Sequence, residues 1–280
     1  MTGMRVWKDV VYREVAGRTL KLDLYRSEDV GMATACPLII WIHGGGWQSG
    51  TKENPRGLAQ VRRGYALASV EYRLSGEARF PAPLQDCKAA VRWLRSHAGE
   101  YGMDGDRIAA WGGSAGGHLA SLIGATMGMP ASDGGLDPLG PPVDVQAVCS
   151  WYGPTNFLRM DDRPGGMEHL APDSPESRLL GAPLTERPDL VALASPITYL
   201  TEARASKLPA FLLMHGTADT IVIYEQSQMF HAALEAVGAD STLVLLGDLE
   251  HGFPGEHRQW DAIWDQVGQF FDRTLGGGTR

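Results

Sequence analysis

The chain has 280 residues, of which 44% are hydrophobic, and it carries a formal net charge of −8 at pH 7. A chain of this length and apolar content can bury one large core. Its acidic balance argues against a surface that binds nucleic acid, because phosphate affinity comes from clustered Lys and Arg. The cysteines (Cys36, Cys87 and Cys149) lie far apart without a CxxC pair, which argues against a disulfide framework or a zinc site.

The sequence contains no recognisable targeting or membrane segment. Its N-terminal residues lack an apolar stretch of signal-peptide length, and no stretch approaches the roughly 18 to 20 apolar residues that span a bilayer. We therefore expect a cytoplasmic protein without a membrane partner, although removal of a signal peptide before residue 1 would leave the same sequence.

The predicted strands begin with an antiparallel hairpin. Residues 10–12 and 19–25 flank a turn at Ala16-Gly17-Arg18, and the second arm alternates apolar and polar residues like a strand with one wet face. Six further strands are predicted at residues 37–42, 65–71, 107–111, 145–151, 208–214 and 242–246. The first of these is continuously apolar, which is typical of a strand covered on both faces.

Helices are predicted between most of these strands, around residues 56–63, from Pro83 through Leu94, after Ser114, and over 229–237, with a closing helix from Trp260. Apolar strands that alternate with amphipathic helices indicate an α/β fold: a mostly parallel, eight-stranded sheet with helices on both faces. The segment 154–200 interrupts this alternation of strands and helices and is too long for a plain connection. We expect one domain over 1–280, with a short cap-like insertion at about 154–200.

The motif G-x-S-x-G stands between the predicted strand 107–111 and the helix after it, with Ser114 at its centre. A strand that turns into a helix within a few residues holds its middle residue in a strained corner, and glycines on either side allow the close approach. The serine hydroxyl then projects above the sheet. An ordinary glycine-rich turn that happens to contain serine is the alternative.

A serine hydroxyl is a weak nucleophile and needs a base within hydrogen-bond reach. Ligands bind beyond the carboxyl ends of the strands in open α/β sheets, so the polar residues at those ends are the candidates. His251 follows the last strand in a short polar loop and is the preferred base. His215, at a strand end, and His118, inside the helix after Ser114, are weaker candidates.

The base in turn needs an acid that fixes its tautomer. Asp219 follows the penultimate strand and is preferred. Asp248 and Glu250 are nearer to His251 in sequence, but a carboxylate that close rarely has room to turn back onto the ring. A helix cap or turn carboxylate is the alternative interpretation of Asp219.

Three consecutive glycines follow the strand at 37–42. Glycines permit positive φ and let bare N–H groups converge on one point. Two or three such donors would stabilise the oxyanion of an acyl-transfer intermediate, each by roughly 3 kcal/mol. Gly45, Gly46 and Ala115 are the predicted donors. A phosphate-binding loop is disfavoured because no Lys-Ser/Thr pair follows and the spacing is not G-x-G-x-x-G.

Together these motifs resemble those of serine esterases of the α/β-hydrolase superfamily, close to the hormone-sensitive-lipase-like group and to feruloyl and acetylxylan esterases. The matching residues are His43-Gly44-Gly45-Gly46-Trp47, Tyr72-Arg73-Leu74, Gly112-Gly113-Ser114-Ala115-Gly116-Gly117, His215-Gly216 with Asp219, and His251-Gly252-Phe253. The resemblance implies the α/β-hydrolase fold, hydrolysis through an acyl-enzyme, and neither a metal nor an organic cofactor. The short segment before the nucleophile motif favours the carbohydrate-ester branch.

The substrate is less well indicated. Four aromatic residues are candidates for the pocket lining, although core packing would explain each of them equally: Trp47, Tyr152, Phe157 and Phe253. Asn156 and Arg159 are candidates for polar contacts to a sugar-like alcohol. We expect a serine esterase that acts on short-chain acyl esters, such as acetyl or feruloyl esters of carbohydrates.

Two other functions stay open at this point. Arylformamidases share the H-G-G-x-W loop and cleave an N-formyl bond with the same machinery. A hydrolase fold without catalytic activity, used for binding, usually lacks a member of the triad, whereas all three are present here. The expected partner is a small-molecule or carbohydrate ester, and the sequence leaves a homodimer open.

Overall fold

The computed structural model describes residues 3–129, 140–163, 165–254 and 259–277. An eight-stranded sheet has the order β1-β2-β4-β3-β5-β6-β7-β8. The strands are β1 (Met4–Val15), β2 (Arg18–Ser27), β3 (Cys36–Ile42), β4 (Ala66–Val70), β5 (Met103–Gly113), β6 (Ala147–Trp151), β7 (Ala210–Gly216) and β8 (Ser241–Leu246). Strand β2 is antiparallel to both of its neighbours, and the pairings from β4 to β8 are parallel. The predicted mostly parallel sheet is confirmed.

The α-helices are α1 (Leu58–Val61), α2 (Ala82–His97), α3 (Ala115–Ala125), α4 (Pro175–Leu180), α5 (Pro188–Ala194), α6 (Glu225–Ala236) and α7 (Gln259–Leu275). Short 3₁₀ helices cover Ala98–Tyr101, Phe157–Arg159, Leu184–Glu186, Pro196–Tyr199 and Glu202–Lys207. Across the described ranges, no helix is both long and apolar enough to cross a membrane.

The core has two halves, one on each face of the sheet. Because successive side chains of a strand point to opposite faces, Leu38, Ile40 and Ile42 of β3 pack into one half, and Ile39 and Trp41 pack into the other. Helices α2, α3 and α6 cover the first half, and α1 and α7 cover the second. Central strands buried on both faces explain the continuous apolar runs of the sequence.

Several elements differ in length from the sequence prediction. The hairpin strands β1 and β2 extend well beyond residues 10–12 and 19–25, and β5 begins four residues earlier than predicted. Helix α1 is a single turn rather than the predicted 56–63. The segment between β6 and β7 carries α4, α5 and several 3₁₀ turns, so the expected break in the strand–helix rhythm is present.

The start of α3 lies directly against the end of β3. A Cβ built on Gly116 would stand 2.0 Å from the carbonyl oxygen of Ile42 and 2.7 Å from that of His43. Both obstacles are backbone atoms of the central sheet, which cannot turn aside as a flexible side chain can. The packing of α3 on the sheet therefore requires glycine at this position.

Gly116→Ala is expected to lower the free energy of unfolding by about 3 kcal/mol, because the added methyl group must displace the sheet backbone. Urea denaturation measures the loss. Gly99→Ala is the matched control, since a Cβ there meets nothing within 4 Å, and its stability should stay within about 1 kcal/mol of wild type. A Gly116→Ala protein as stable as wild type would contradict the required close approach.

Candidate active site

Ser114 occupies a strained corner between β5 and α3. Its backbone has φ 56° and ψ −124°, outside the regions that non-glycine residues ordinarily adopt. A Cβ on Gly112 would lie 2.3 Å from the carbonyl carbon of Gly116, so the strand end and helix start are nearly in contact. The corner places Ser114 on the wall of a cavity of about 380 Å³ above the carboxyl ends of the strands.

Asp219 and His251 complete a hydrogen-bonded chain that starts at this serine. The Ser114 Oγ lies 3.0 Å from Nε2 of His251, and Nδ1 of the same ring lies 2.7 Å from Oδ2 of Asp219. Asp219 follows β7 and His251 follows β8, so neighbouring parallel strands bring both side chains to Ser114. Asp219 is fully buried, whereas the His251 side chain keeps 16% of its exposure.

The Asp219 carboxylate is held in its charged form by four donors. Its Oδ1 accepts the backbone N–H groups of Ile221 and Val222, both at 2.9 Å, and its Oδ2 accepts from His251 and from His215. Burial opposes the charge, but the hydrogen bonds from the two histidines outweigh it and lower the pKa of Asp219 to about 2.

The ionised carboxylate sets the proton position on His251. A carboxylate can only accept, so Nδ1 of His251 must be the donor. The other ring nitrogen, Nε2, then presents its lone pair to the Ser114 hydroxyl, which donates to it. This tautomer is the one that a general base requires.

His215, a rival base in the sequence analysis, supports the acid instead. Its Nε2 lies 2.8 Å from the Val222 carbonyl oxygen and 3.2 Å from Oδ2 of Asp219. Both atoms are acceptors, so Nε2 carries the proton, and Nδ1 accepts from the Ser227 hydroxyl at 2.7 Å. The fully buried ring has no free nitrogen. It therefore orients Asp219.

His118, the other candidate base, also uses both of its ring nitrogens in hydrogen bonds. Its Nδ1 accepts from Nε1 of Trp47 at 3.2 Å, and its Nε2 donates to the Ala194 carbonyl oxygen at 2.7 Å. Burial lowers the pKa of His118 to about 4, which keeps the ring neutral. Through these bonds the ring ties the glycine loop to α3 and to the insertion.

The alternative acids lie away from the imidazole. Asp248 and Glu250 are both exposed, and neither makes a hydrogen bond or ion pair to His251 in the part of the chain that the structure describes. Among the described residues, the carboxylate that contacts the ring is that of Asp219.

Bare backbone donors surround the space next to Ser114. Gly45 and Gly46 have φ values of 109° and 57°, and both line the cavity together with Ala115. Among the described residues, the N–H groups of these two glycines donate to no backbone acceptor. Ala115 is the first residue of α3, so its N–H has no partner within the helix. The arrangement suits a developing oxyanion.

The structure divides the four aromatic pocket candidates into two pairs. Trp47 and Tyr152 line the cavity, and burial raises the pKa of the Tyr152 phenol to about 12. Phe157 does not line it, because its ring packs in the core against His118 at 5.0 Å. Phe253 is likewise absent from the lining, with its ring 4.7 Å from that of Tyr152 on the side of the core. The expectation for both phenylalanines was wrong.

Other lining residues were not predicted. Arg56 stands at the mouth, where its Nη1 donates to the Gly252 carbonyl oxygen at 2.7 Å. The insertion contributes His169 and Glu176, whereas Asn156 and Arg159 do not line the cavity. No periodicity or motif in the irregular insertion indicates which of its side chains point inward. Throughout the described part of the chain, no three His, Cys, Asp or Glu side chains are placed to hold a metal ion.

The family model BD-FAE matches residues 22–234, which is most of the chain. The chain belongs to the BD-FAE family of α/β-hydrolases. Membership confirms the predicted resemblance.

Two solved structures similar to this BD-FAE protein are esterases by name. A truncated form of a carbohydrate esterase from gut microbiota shares 30% identity with a TM-score of 0.80, covering 97% of this chain and 96% of that one. Esterase 2 of Thermogutta terrifontis, phosphonylated by cyclosarin, shares 25% identity with a TM-score of 0.75, covering 100% of this chain and 96% of that one.

Two curated relatives come from Mycobacterium tuberculosis. Esterase LipQ is 29% identical to this BD-FAE protein in a 269-residue alignment that covers 93% of this chain and 62% of LipQ. The probable carboxylic ester hydrolase LipM is 32% identical over 232 residues, which are 82% of this chain and 52% of LipM. The BD-FAE chain thus spans between about half and three fifths of the length of these relatives.

The charge on Asp219 makes a prediction for stability. The pKa of this carboxyl is about 2 in the folded protein and 3.8 ordinarily, so its ionisation stabilises the fold above pH 3.8 and ceases to do so as the pH falls through 2. Relative to Asp219→Asn, wild type should therefore lose about 1 kcal/mol of free energy of unfolding between about pH 5 and pH 3. Urea denaturation at each pH tests this. A difference that stays constant would contradict the lowered pKa.

Proposed function

We propose that this BD-FAE protein is a serine carboxylic-ester hydrolase that acts through an acyl-enzyme on short-chain acyl esters of carbohydrates, such as acetyl or feruloyl esters. The observation that carries the proposal is the hydrogen-bonded chain from Ser114 through His251 to the buried, ionised Asp219, at the wall of a cavity. A binding protein would not need a strained serine joined to a base of the correct tautomer.

In the acylation half of the reaction, Oγ of Ser114 attacks the ester carbonyl carbon while its proton passes to Nε2 of His251. The negative oxygen of the tetrahedral intermediate accepts hydrogen bonds from the N–H groups of Gly45, Gly46 and Ala115, each worth roughly 3 kcal/mol. Collapse of the intermediate breaks the bond to the alcohol oxygen. His251 returns the proton to that oxygen, and the alcohol leaves.

In the deacylation half, water takes the place of the alcohol. His251 accepts a proton from the water as its oxygen attacks the acyl carbon, and the bond to Ser114 breaks as the proton moves to Oγ. Asp219 remains ionised throughout and stabilises the imidazolium. The released acid and the regenerated hydroxyl balance the reaction without a cofactor.

The size of the cavity supports a short acyl group. Its volume of about 380 Å³ lies near the lower end of the range for ligand pockets. The insertion contributes Met167 and Pro175 to the wall, and the loop after Asp219 contributes Ile221 and Val222. These side chains give the acyl group an apolar surface to contact.

The names of similar proteins favour an ester, and a carbohydrate ester in particular. Besides the truncated carbohydrate esterase, a bifunctional GH43-CE protein of Bacteroides eggerthii shares 32% identity with a TM-score of 0.82, covering 97% of this chain and 35% of that one. The same triad would also serve an arylformamidase. No feature of the cavity specifically favours a formamide.

Ser114→Ala is expected to lower kcat for p-nitrophenyl acetate by about 10⁴-fold or more, because the nucleophile is gone. Asp219→Asn should lower kcat steeply too, since an amide can donate to Nδ1 and reverse the tautomer of His251. Asp248→Asn is the matched control, and its kcat should match that of wild type. Equal losses in the two Asp variants would contradict the assignment of the acid.

The same assay distinguishes substrates. Rates should fall from p-nitrophenyl acetate to the decanoate, and acetylated xylan or methyl ferulate should be hydrolysed faster than N-formylkynurenine. A preference for N-formylkynurenine would replace the esterase proposal with the formamidase.

A further inference from the structure

The insertion brings a second polar pair to the cavity, distinct from the triad. His169 precedes α4, and Glu176 lies in its first turn. Each side chain is about 2% exposed, and both line the cavity that holds Ser114. The mechanism of acyl transfer described above uses neither of them.

The contacts of His169 place a proton on one ring nitrogen and the Glu176 carboxylate next to the other. Nε2 of His169 lies 2.6 Å from the Ile221 carbonyl oxygen, which can only accept, so Nε2 carries a proton. Nδ1 lies 3.0 Å from Oε1 of Glu176, at the distance of an ion pair but without hydrogen-bond angles. Burial opposes a charged ring, yet the Glu176 carboxylate outweighs it and raises the pKa of His169 above its usual value. The carboxylate of Glu176 therefore favours the protonated form of the His169 ring.

One oxygen of this pair has no partner. Oε2 of Glu176 is buried and makes no hydrogen bond to any described residue. A buried acceptor without a hydrogen bond is unfavourable. Glu176 lines the cavity, and because the terminal torsion of a glutamate is soft, its carboxylate can reorient without moving α4.

We propose that Glu176 accepts a hydrogen bond from a hydroxyl group on the sugar part of the substrate, so that the cavity prefers esters of polyhydroxy alcohols to esters of plain alcohols. This inference rests on the proposed esterase function and specifies its substrate. A hydroxyl suits the site better than a cation does. Oε2 of Glu176 can satisfy the single donor of a hydroxyl, whereas an ammonium group would bring three donors and a charge that must be desolvated.

The experiment compares two acetate esters with similar ring-shaped alcohols. Monoacetylated methyl β-xylopyranoside carries free hydroxyl groups, and cyclohexyl acetate carries none. The ratio of their kcat/KM values is measured for wild type and for Glu176→Met, which removes both oxygens at similar volume. The ratio should fall by about 10-fold or more, because a hydrogen bond to a charged acceptor is lost for one substrate only.

Two further variants keep the test decisive. Glu176→Gln retains a neutral acceptor and should lower the same ratio by a smaller factor, and it decides the question if Glu176→Met does not fold. Glu186→Gln is the matched control, since Glu186 lies exposed in the same insertion outside the cavity, and its ratio should equal that of wild type.

The outcomes separate this inference from the proposed function. If wild type hydrolyses neither ester, the esterase proposal fails and the inference fails with it. If wild type hydrolyses both esters and the Glu176 variants lower both rates by the same factor, the esterase stands and the hydroxyl contact is overturned. A preference of wild type for acetylcholine over cyclohexyl acetate that the Glu176 variants abolish would assign a cation to Glu176 instead, which also overturns it.

Discussion

The active site depends on a carboxylate that stays ionised although it is fully buried. Asp219 is stable in this form because two backbone N–H groups and two histidines donate to it. Its charge dictates which nitrogen of His251 carries the proton, and thereby which nitrogen faces Ser114. His215 has no exposed surface of its own, yet it supplies one of the donors on which this arrangement depends.

A second constraint is the close approach of backbones at the elbow. Ser114 retains an unfavourable φ because β5, α3 and β3 meet there with room only for glycine at 112 and 116. The segment between β6 and β7 also packs against the site. Pro175 would stand 3.5 Å from a Cβ on Gly46, and His118 joins Trp47 of the glycine loop to Ala194 of α5. The rigid sheet and the insertion together define a small cavity.

The sheet and the position of the serine were predictable because they follow from simple periodicities. Continuously apolar strands imply a parallel sheet that is covered on both faces, and the carboxyl ends of its strands lie at the same edge. A serine between glycines at that edge is the position expected of a nucleophile. The directions of individual side chains were not predictable. Phe157 and Phe253 face the core although they adjoin the site in sequence, and Glu176 reaches the cavity from a segment without periodicity. Packing between distant segments decides such directions, and a sequence pattern does not encode it.

The central claim is that Ser114 is an activated nucleophile, and covalent labelling tests it most directly. The protein is incubated with a fluorophosphonate, and its mass is measured intact and after proteolysis. The geometry predicts one adduct per chain, carried by the peptide that contains Ser114, and no adduct on protein unfolded in urea, where His251 no longer accepts the serine proton. A folded protein that gains no adduct, or one labelled at another residue, would contradict the account.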